Sequence, residues 1–148
     1  MLVKDLVRAL DKVNGILPVK FLREGKYTDV REGYSYNPIF HVFSLTTGNI
    51  DYLDGDRELD TLFLMHIIDY CNELIGGSLF NEEFDRFVSY RFEVFEYKRI
   101  DNDTEEMYGC EELKVYIKNI EGETCFIIEA SDEFCEDDAI EVTETIEG

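Results

Sequence analysis

The sequence is poor in basic residues: 14 Lys and Arg stand against 34 Asp and Glu, a formal net charge of −20 at pH 7. A protein with this charge repels nucleic acids and anionic membranes, so we expect no direct contact with either. The sequence also lacks any apolar run of the ~18–20 residues that a membrane-spanning helix needs. Asp5 interrupts the apolar pattern at the start of the chain, which excludes the apolar core of a signal peptide. These absences predict a cytoplasmic protein.

Motifs for metal binding and catalysis are also absent. The four cysteines form no CxxC pair, and their spacing to His41 and His66 matches no zinc site. We interpret Cys71 and Cys125 as reduced side chains that pack as small hydrophobes. Either histidine could act as a general base, but no nucleophile motif accompanies them, so core or interface positions are the better interpretation. No glycine-rich phosphate-binding loop is present. The sequence therefore predicts no cofactor and no enzyme.

Two acidic segments partly follow the patterns of cation sites. Residues 101–112 place oxygen ligands at positions one, three, five and twelve of an EF-hand loop, but Glu106 occupies the position that needs Gly. The second segment precedes a predicted helix, where acids complement the helix dipole and Asp54 or Asp56 can cap it. It consists of Asp51, Asp54, Asp56, Glu58 and Asp60. We interpret both segments as structural and predict no metal site.

The chain nevertheless has the composition of a folded protein, because 45% of its residues are hydrophobic and it contains 11 Phe and 9 Tyr. Apolar spacing predicts helices at 2–13, 58–74 and 82–89. The second of these is apolar on most sides and is therefore expected to be buried on most sides. Strands are predicted at 17–22, 39–45, 50–53 and 90–100, the last with a bulge near 94–95, and residues 23–37 are predicted to form a long loop or a weak hairpin.

The segment 113–130 predicts a hairpin whose register follows from the sequence. With Glu121-Gly122 as a two-residue loop, Leu113, Val115 and Ile117 face Ala130, Ile128 and Phe126 on one apolar side. A three-residue loop would place Leu113 opposite a glutamate, so the two-residue register is favoured. Both lysines of the last third, Lys114 and Lys118, then lie on the other side, where Lys114 faces Glu129.

Together these elements predict one α+β domain over residues 1–148. We expect a mainly antiparallel sheet of five to seven strands, with two or three helices packed on one face. Residues 139–148 are predicted to form an edge strand or a flexible acidic tail.

The negative charge is concentrated at one end of the chain. Residues 1–50 carry a net charge of +2, residues 51–100 carry −7, and residues 101–148 carry −15. We predict that this last third is the partner-binding surface, because a concentrated negative field attracts a basic protein. The residues assigned to it are Glu105, Glu106, Glu111, Glu112, Asp132, Glu133, Glu136, Asp137, Asp138 and Glu141.

These observations predict a small acidic non-enzymatic interaction or inhibitor protein that docks on the basic, nucleic-acid-binding surface of a partner protein. Carboxylates on one face of a strand repeat about every 6.6–6.8 Å, close to two base steps of a DNA strand, so an acidic face can mimic a phosphate row. The chain resembles phage-encoded anti-CRISPR and anti-restriction proteins in size and charge, which would place it in the host cytoplasm. Two alternatives stay open: an assembly component of a larger complex such as a viral one, and a divalent-metal-binding module or enzyme.

Overall fold

Strands make up most of the structure. The computed structural model describes residues 1–48, 58–75, 85–99 and 105–131. Its elements in chain order are α1 (Val3–Leu10), β1 (Val19–Arg23), β2 (Lys26–Asn37), β3 (Val42–Gly48), α2 (Thr61–Leu74), α3 (Asp85–Val88), β4 (Arg91–Arg99), β5 (Glu105–Cys110), β6 (Leu113–Ile120) and β7 (Glu123–Ala130). The strand predicted at 50–53 and the strand or tail predicted at 139–148 lie outside the described residues.

The strands form a seven-stranded mixed sheet in the order β5-β4-β3-β2-β1-β7-β6. The prediction of a mainly antiparallel sheet with helices packed on one face is therefore wrong. Two of the pairings are parallel: β1 with β7, in the register Val19↔Phe126, and β3 with β4, in the register Val42↔Arg91. Each joins segments far apart in the chain, and local sequence patterns carry no signal for such pairings.

The sheet is strongly curled, and its connections show this directly. β5 and β6 stand at opposite ends of the strand order, yet only Glu111 and Glu112 separate them in the chain. Six strand spacings in a flat sheet would span about 29 Å, whereas three Cα–Cα steps reach at most about 11 Å. The two ends of the sheet therefore approach one another at this connector. Across the curl, Arg23 of β1 also forms an ion pair with Glu96 of β4 at 2.7 Å.

Two hairpins are closed by the same dipeptide. Glu24-Gly25 links β1 to β2, Glu121-Gly122 links β6 to β7, and all four residues have φ between 52° and 87°. Positive φ at both loop positions is the geometry of a type I′ turn, whose twist matches that of paired strands. The predicted β6–β7 register is confirmed at every pair from Leu113↔Ala130 to Lys118↔Cys125. The segment predicted as a loop or weak hairpin instead contains the 12-residue strand β2.

β4 is regular where it pairs with β3, so the bulge predicted near 94–95 is wrong. Its pairing runs from Val42↔Arg91 to Gly48↔Tyr97 without a shift in register. Phe92 and Val94 are buried in the core. Because side chains alternate along a strand, Phe95 lies on the opposite face, next to Glu93. Apolar side chains on both faces explain the pattern that suggested the slip.

The core contains residues of the helices and of most of the strands. Its cluster joins Val3 and Leu6 of α1 and Leu64 and Ile68 of α2 to buried residues of six strands. The apolar circumference of α2 predicted burial on most sides, and this prediction is wrong. Four of its large apolar side chains are 39–52% exposed: Leu62, Phe63, Tyr70 and Leu74.

Candidate functional site

Four of the ten acidic residues assigned to the partner-binding surface fall in described segments. Glu105 and Glu106 begin β5, at an edge of the sheet. Glu111 and Glu112 form the connector between the two ends of the sheet, and both are exposed. The other six lie outside the described residues: Asp132, Glu133, Glu136, Asp137, Asp138 and Glu141.

Basic residues of β4 lie closer to this acidic segment than its sequence suggested. Glu105 stands directly opposite Arg99 in the β4–β5 register, and Glu106 stands opposite Lys98. Glu111 forms an ion pair with Arg91, with 3.6 Å between Nη1 and Oε1. This ion pair compensates part of the negative charge of the connector. Glu112 is exposed, and its backbone carbonyl accepts a hydrogen bond from Ser131 N at 3.0 Å.

The outer face of the β6–β7 hairpin has mixed charge, as the register predicted. Lys114 lies 3.6 Å from Glu129, and the hydroxyl of Tyr116 donates to the same carboxylate at 2.5 Å. Burial, together with this carboxylate, raises the pKa of Tyr116 well above its usual range. Lys118 Nζ lies 3.2 Å from the hydroxyl oxygen of Tyr27. The exposed acids of the hairpin are therefore concentrated at its ends and not along its face.

Glu93 is a buried acid that the sequence analysis did not single out. It lies on β4 and is only 9% exposed. Burial raises its pKa, the charge of Glu111 adds to this effect, and Arg91 opposes it. Gly109 on β5 makes room for the Glu93 side chain, since a Cβ at that position would lie 3.1 Å from Glu93 Oε2 and 3.1 Å from the ring of Phe95. The partly buried Phe95 on the same face was the signal for this environment, but its position was interpreted as a bulge.

The acidic segment before α2 has a structural role in the part that is described. Asp60 caps α2 by accepting a hydrogen bond from Phe63 N at 2.8 Å, so the prediction that Asp54 or Asp56 caps the helix is wrong. Glu58 is hydrogen-bonded to Asp29, which raises the pKa of Glu58. Burial raises the pKa of Asp29, but hydrogen bonds with Lys20 and Glu58 lower it, so that it lies below the usual range. This cluster fastens residues 58–60 to the sheet.

The EF-hand interpretation of residues 101–112 does not fit the described part of that segment. Residues 105–110 form the extended strand β5. An EF-hand loop instead wraps its ligands around one calcium ion, and an extended strand over half of the loop does not have this geometry. Within the described ranges, no group of three or more His, Cys, Asp or Glu is placed to hold a metal ion.

The two histidines lie at the surface and not in the core. His66 is exposed on α2. His41 follows a turn and has a φ of 56°, and its ring stacks on Tyr90 with 5.0 Å between ring centroids. It borders a cleft of about 440 Å³ whose lining residues are Tyr36, Pro38, His41, Leu74, Ile75, Ser89 and Tyr90. Among the described residues, this lining is mixed: Pro38, Leu74 and Ile75 are apolar, and the other four carry polar groups.

A turn beside this cleft holds two apolar side chains in solvent. The side-chain oxygen of Asn37 accepts hydrogen bonds from Ile39 N at 2.8 Å and Phe40 N at 3.0 Å. Asn commonly fixes a turn in this way. As a result, Ile39 is 80% exposed and Phe40 is 71% exposed. Both residues were predicted to lie in a strand, although the Asn37-Pro38 dipeptide is itself a turn signal.

The turn and α2 together form one exposed apolar surface. Leu74 of α2 lines the same cleft as Pro38, and Tyr70 lies one helical turn before Leu74. Burial raises the pKa of Tyr34, and the phenol of Tyr70 contributes to the shift. We call this surface the hydrophobic patch and define it as Tyr34, Ile39, Phe40, Tyr70 and Leu74.

Cys71 and Cys125 are buried thiols, as predicted, and Cys71 belongs to the core. Burial raises the pKa of Cys71 to about 11, so this thiol is protonated at neutral pH and is a poor nucleophile. Cys135 lies outside the described residues.

Comparison of the chain with protein-family models, with curated proteins and with solved structures finds no match in any of the three. None of the helices in the described ranges combines the length and the apolar character required to cross a membrane. The charges and surfaces of this chain are therefore the evidence for its function.

Proposed function

We propose that this chain is a small, non-enzymatic interaction protein that inhibits a partner by occupying the partner's basic, nucleic-acid-binding surface. The observation that carries the proposal is the net charge of −15 within residues 101–148. A field of one sign at this density steers a protein of opposite charge and accelerates its association. Phage-encoded anti-CRISPR and anti-restriction proteins share this size and charge, and the proposed mode of action is theirs.

The placement of the exposed acids supports contact over an extended groove. Glu111 and Glu112 are exposed at one end of the β6–β7 hairpin, and Glu121 and Glu123 are exposed at the other. Nine strand steps separate Glu112 from Glu121, a span of about 30 Å. A DNA strand covers this length in about nine base steps. Acids at both ends of the hairpin could thus reach basic residues along the whole of a nucleic-acid groove.

Capture from a lysate of the source cells tests the proposal. The lysate is treated with nuclease and passed over the immobilised protein at 0.1 M salt, and bound proteins are eluted at 1 M and identified by mass spectrometry. We expect a basic nucleic-acid-binding protein, because screening at 1 M shortens the Debye length to about 3 Å. The purified partner should then lose its nucleic acid when this protein is added. Capture of neutral or acidic proteins only, or no displacement, would contradict the proposal.

A matched pair of variants separates local charge from net charge in the same assay. Glu112→Lys with Glu121→Lys reverses one acid at each end of the hairpin. Asp11→Lys with Glu24→Lys changes the net charge equally, at exposed positions in the first 50 residues. We expect the first pair to weaken capture more than the second.

An assembly component is the second candidate, and the exposed hydrophobic patch favours it. Self-association through apolar contacts should be insensitive to salt, whereas binding of a basic partner should weaken as salt rises. Sedimentation velocity at 0.1 and 1 M salt distinguishes the two functions.

A further inference from the structure

The solvent-facing side of α2 carries apolar residues at regular helical spacing. The buried side packs Leu64, Ile67, Ile68 and Cys71 into the core. Tyr70 and Leu74 are exposed one helical turn apart, and Leu62 is exposed two turns before Tyr70, with the exposed polar His66 between them. A helix that packs on one side only is normally polar on the other. The exposed Tyr70 and Leu74 therefore need an explanation.

Leu74 lines the same cleft as Pro38, which is followed in the chain by the exposed Ile39 and Phe40. At 71% and 52% exposure, Phe40 and Tyr70 present two aromatic side chains that can each bury about 150–250 Å². With Ile39 and Leu74 added, the hydrophobic patch offers roughly 400–500 Å², as large as the functional patches of many monomeric proteins. A specific interface needs about 800 Å² from each partner. The patch is thus sufficient for the apolar centre of an interface and would be completed by a polar rim.

The charges beside the patch are all negative on α2. The helix contains no Lys or Arg, and Asp69 and Glu73 are exposed one turn apart. Like charges at i and i+4 repel one another. Glu73 also lies in the last turn, where the helix dipole favours a positive group. Both acids would gain from a cation supplied by another molecule.

We infer that the hydrophobic patch binds an amphipathic helical segment of a partner protein, with apolar residues on one side and Lys or Arg along its flanks. The apolar side would fill the cleft beside Ile39 and Phe40, and the basic flank would face Asp69 and Glu73. A second copy of this chain fits less well, because two-fold pairing through the patch would bring the acids of both copies together in two molecules of charge −20. This inference and the proposed function both require a positively charged partner, but they use different residues. Either can therefore fail alone.

Designed peptides supply the probe, because the patch predicts chemistry and not a particular partner. The test peptide is an 18-residue amphipathic helix of Leu and Lys with a fluorescent label, and its binding is followed by anisotropy. A scrambled Leu/Lys peptide has the same composition without an apolar side, and a Leu/Glu helix has the apolar side with the opposite charge. We expect the test peptide to bind at least tenfold more tightly than either control.

Variants of the protein locate the binding surface. Ile39→Ser with Phe40→Ser should weaken peptide binding at least tenfold, whereas Ile16→Ser should not change it. Ile16 is a matched control, because it is 61% exposed and lies beside the opposite end of α2, where Leu17 is bonded to Thr61. Circular dichroism verifies that the double variant is folded, as expected for two exposed positions.

A second pair of variants tests the acidic flank. Asp69→Lys with Glu73→Lys should weaken peptide binding at least tenfold while raising the melting temperature of the free protein, since it removes the repulsion and complements the dipole. Asp11→Lys with Glu24→Lys, at the same net charge, should weaken binding less. Loss of stability in the first pair would contradict the electrostatic argument.

Three results would overturn the inference. The first is binding of the Leu/Lys helix that is unchanged by the Ile39/Phe40 double variant. The second is equal binding of the Leu/Glu helix or the scrambled peptide. The third is a concentration-dependent dimer that dissociates in the double variant while no peptide binds, because a second copy of the chain would then occupy the patch. If the charge reversals at the ends of the hairpin do not weaken capture, the proposed function is contradicted. The peptide experiments still test the present inference independently.

Discussion

Replacing Ile117 with Ala should destabilise the protein by about 3–4 kcal/mol. Ile117 is 6% exposed in β6 and stands opposite the fully buried Phe126. The substitution removes three carbons, and each buried methylene contributes about 0.8 kcal/mol, so the transfer term alone is about 2.4 kcal/mol. β7 holds β6 on one side, which limits collapse around the cavity and adds about 1 kcal/mol.

Urea unfolding followed by circular dichroism measures this loss. With a slope of about 2 kcal/mol/M, the midpoint should fall by about 1.5–2 M urea. Ile16→Ala is the control, since Ile16 is 61% exposed and should cost less than about 1 kcal/mol. A loss below about 0.5 kcal/mol for Ile117→Ala, or one no larger than that of the control, would refute the assigned packing of the hairpin.

Three further substitutions test single features of the structure. Because burial raises the pKa of Glu93 above 4.5, the folded protein favours the protonated form of this residue and loses stability as the pH rises through the raised value. Glu93→Gln should therefore be more stabilising at pH 7 than at pH 4. The same effect at both pH values in thermal melts would contradict this expectation. Gly109→Ala should lower the melting temperature, since its Cβ would lie 3.1 Å from Glu93 and Phe95. An unchanged melting curve would show that these side chains move aside at no cost in stability. Asp60→Ala should cost about 1 kcal/mol in urea unfolding by removing the cap of α2, whereas Asp60→Asn should retain most of that stability.

Local elements of this fold could be predicted from the sequence because their signals lie within a few residues of one another. The β6–β7 register follows from Glu121-Gly122 and the alternation around it. The same dipeptide at Glu24-Gly25 closes the β1–β2 hairpin. The 12-residue strand β2 was not predicted, because its sequence is polar. That strand is polar because only Val30 among its residues is fully inside the core.

The mixed topology could not be predicted, because parallel pairing depends on segments that meet only in the folded state. Val19 pairs with Phe126 and Val42 pairs with Arg91, and no periodicity in either segment encodes its partner. The same limit applied to the acidic surface. Glu111 was assigned to the partner-binding surface, and it meets Arg91 only because β4 and β5 are adjacent.

The hydrophobic patch was missed for a different reason. Apolar residues on α2 were interpreted as core because an apolar helix is normally buried. Sequence alone cannot tell which apolar side of a helix meets the sheet and which meets solvent. Ile39 and Phe40 had a visible signal in Asn37-Pro38, which ends the preceding strand and fixes the turn.

The association rate with the captured partner tests the central claim most directly. It is measured at 0.1 and 1 M salt for the wild type, for a triple reversal of Glu136, Asp137 and Asp138 to Lys, and for a control triple reversal of Asp11, Glu24 and Glu32 to Lys with the same net charge. We predict a rate that falls steeply with salt and falls further in the first variant than in the control. A rate indifferent to salt, or equal losses in both variants, would show that the acidic third of the chain does not direct binding.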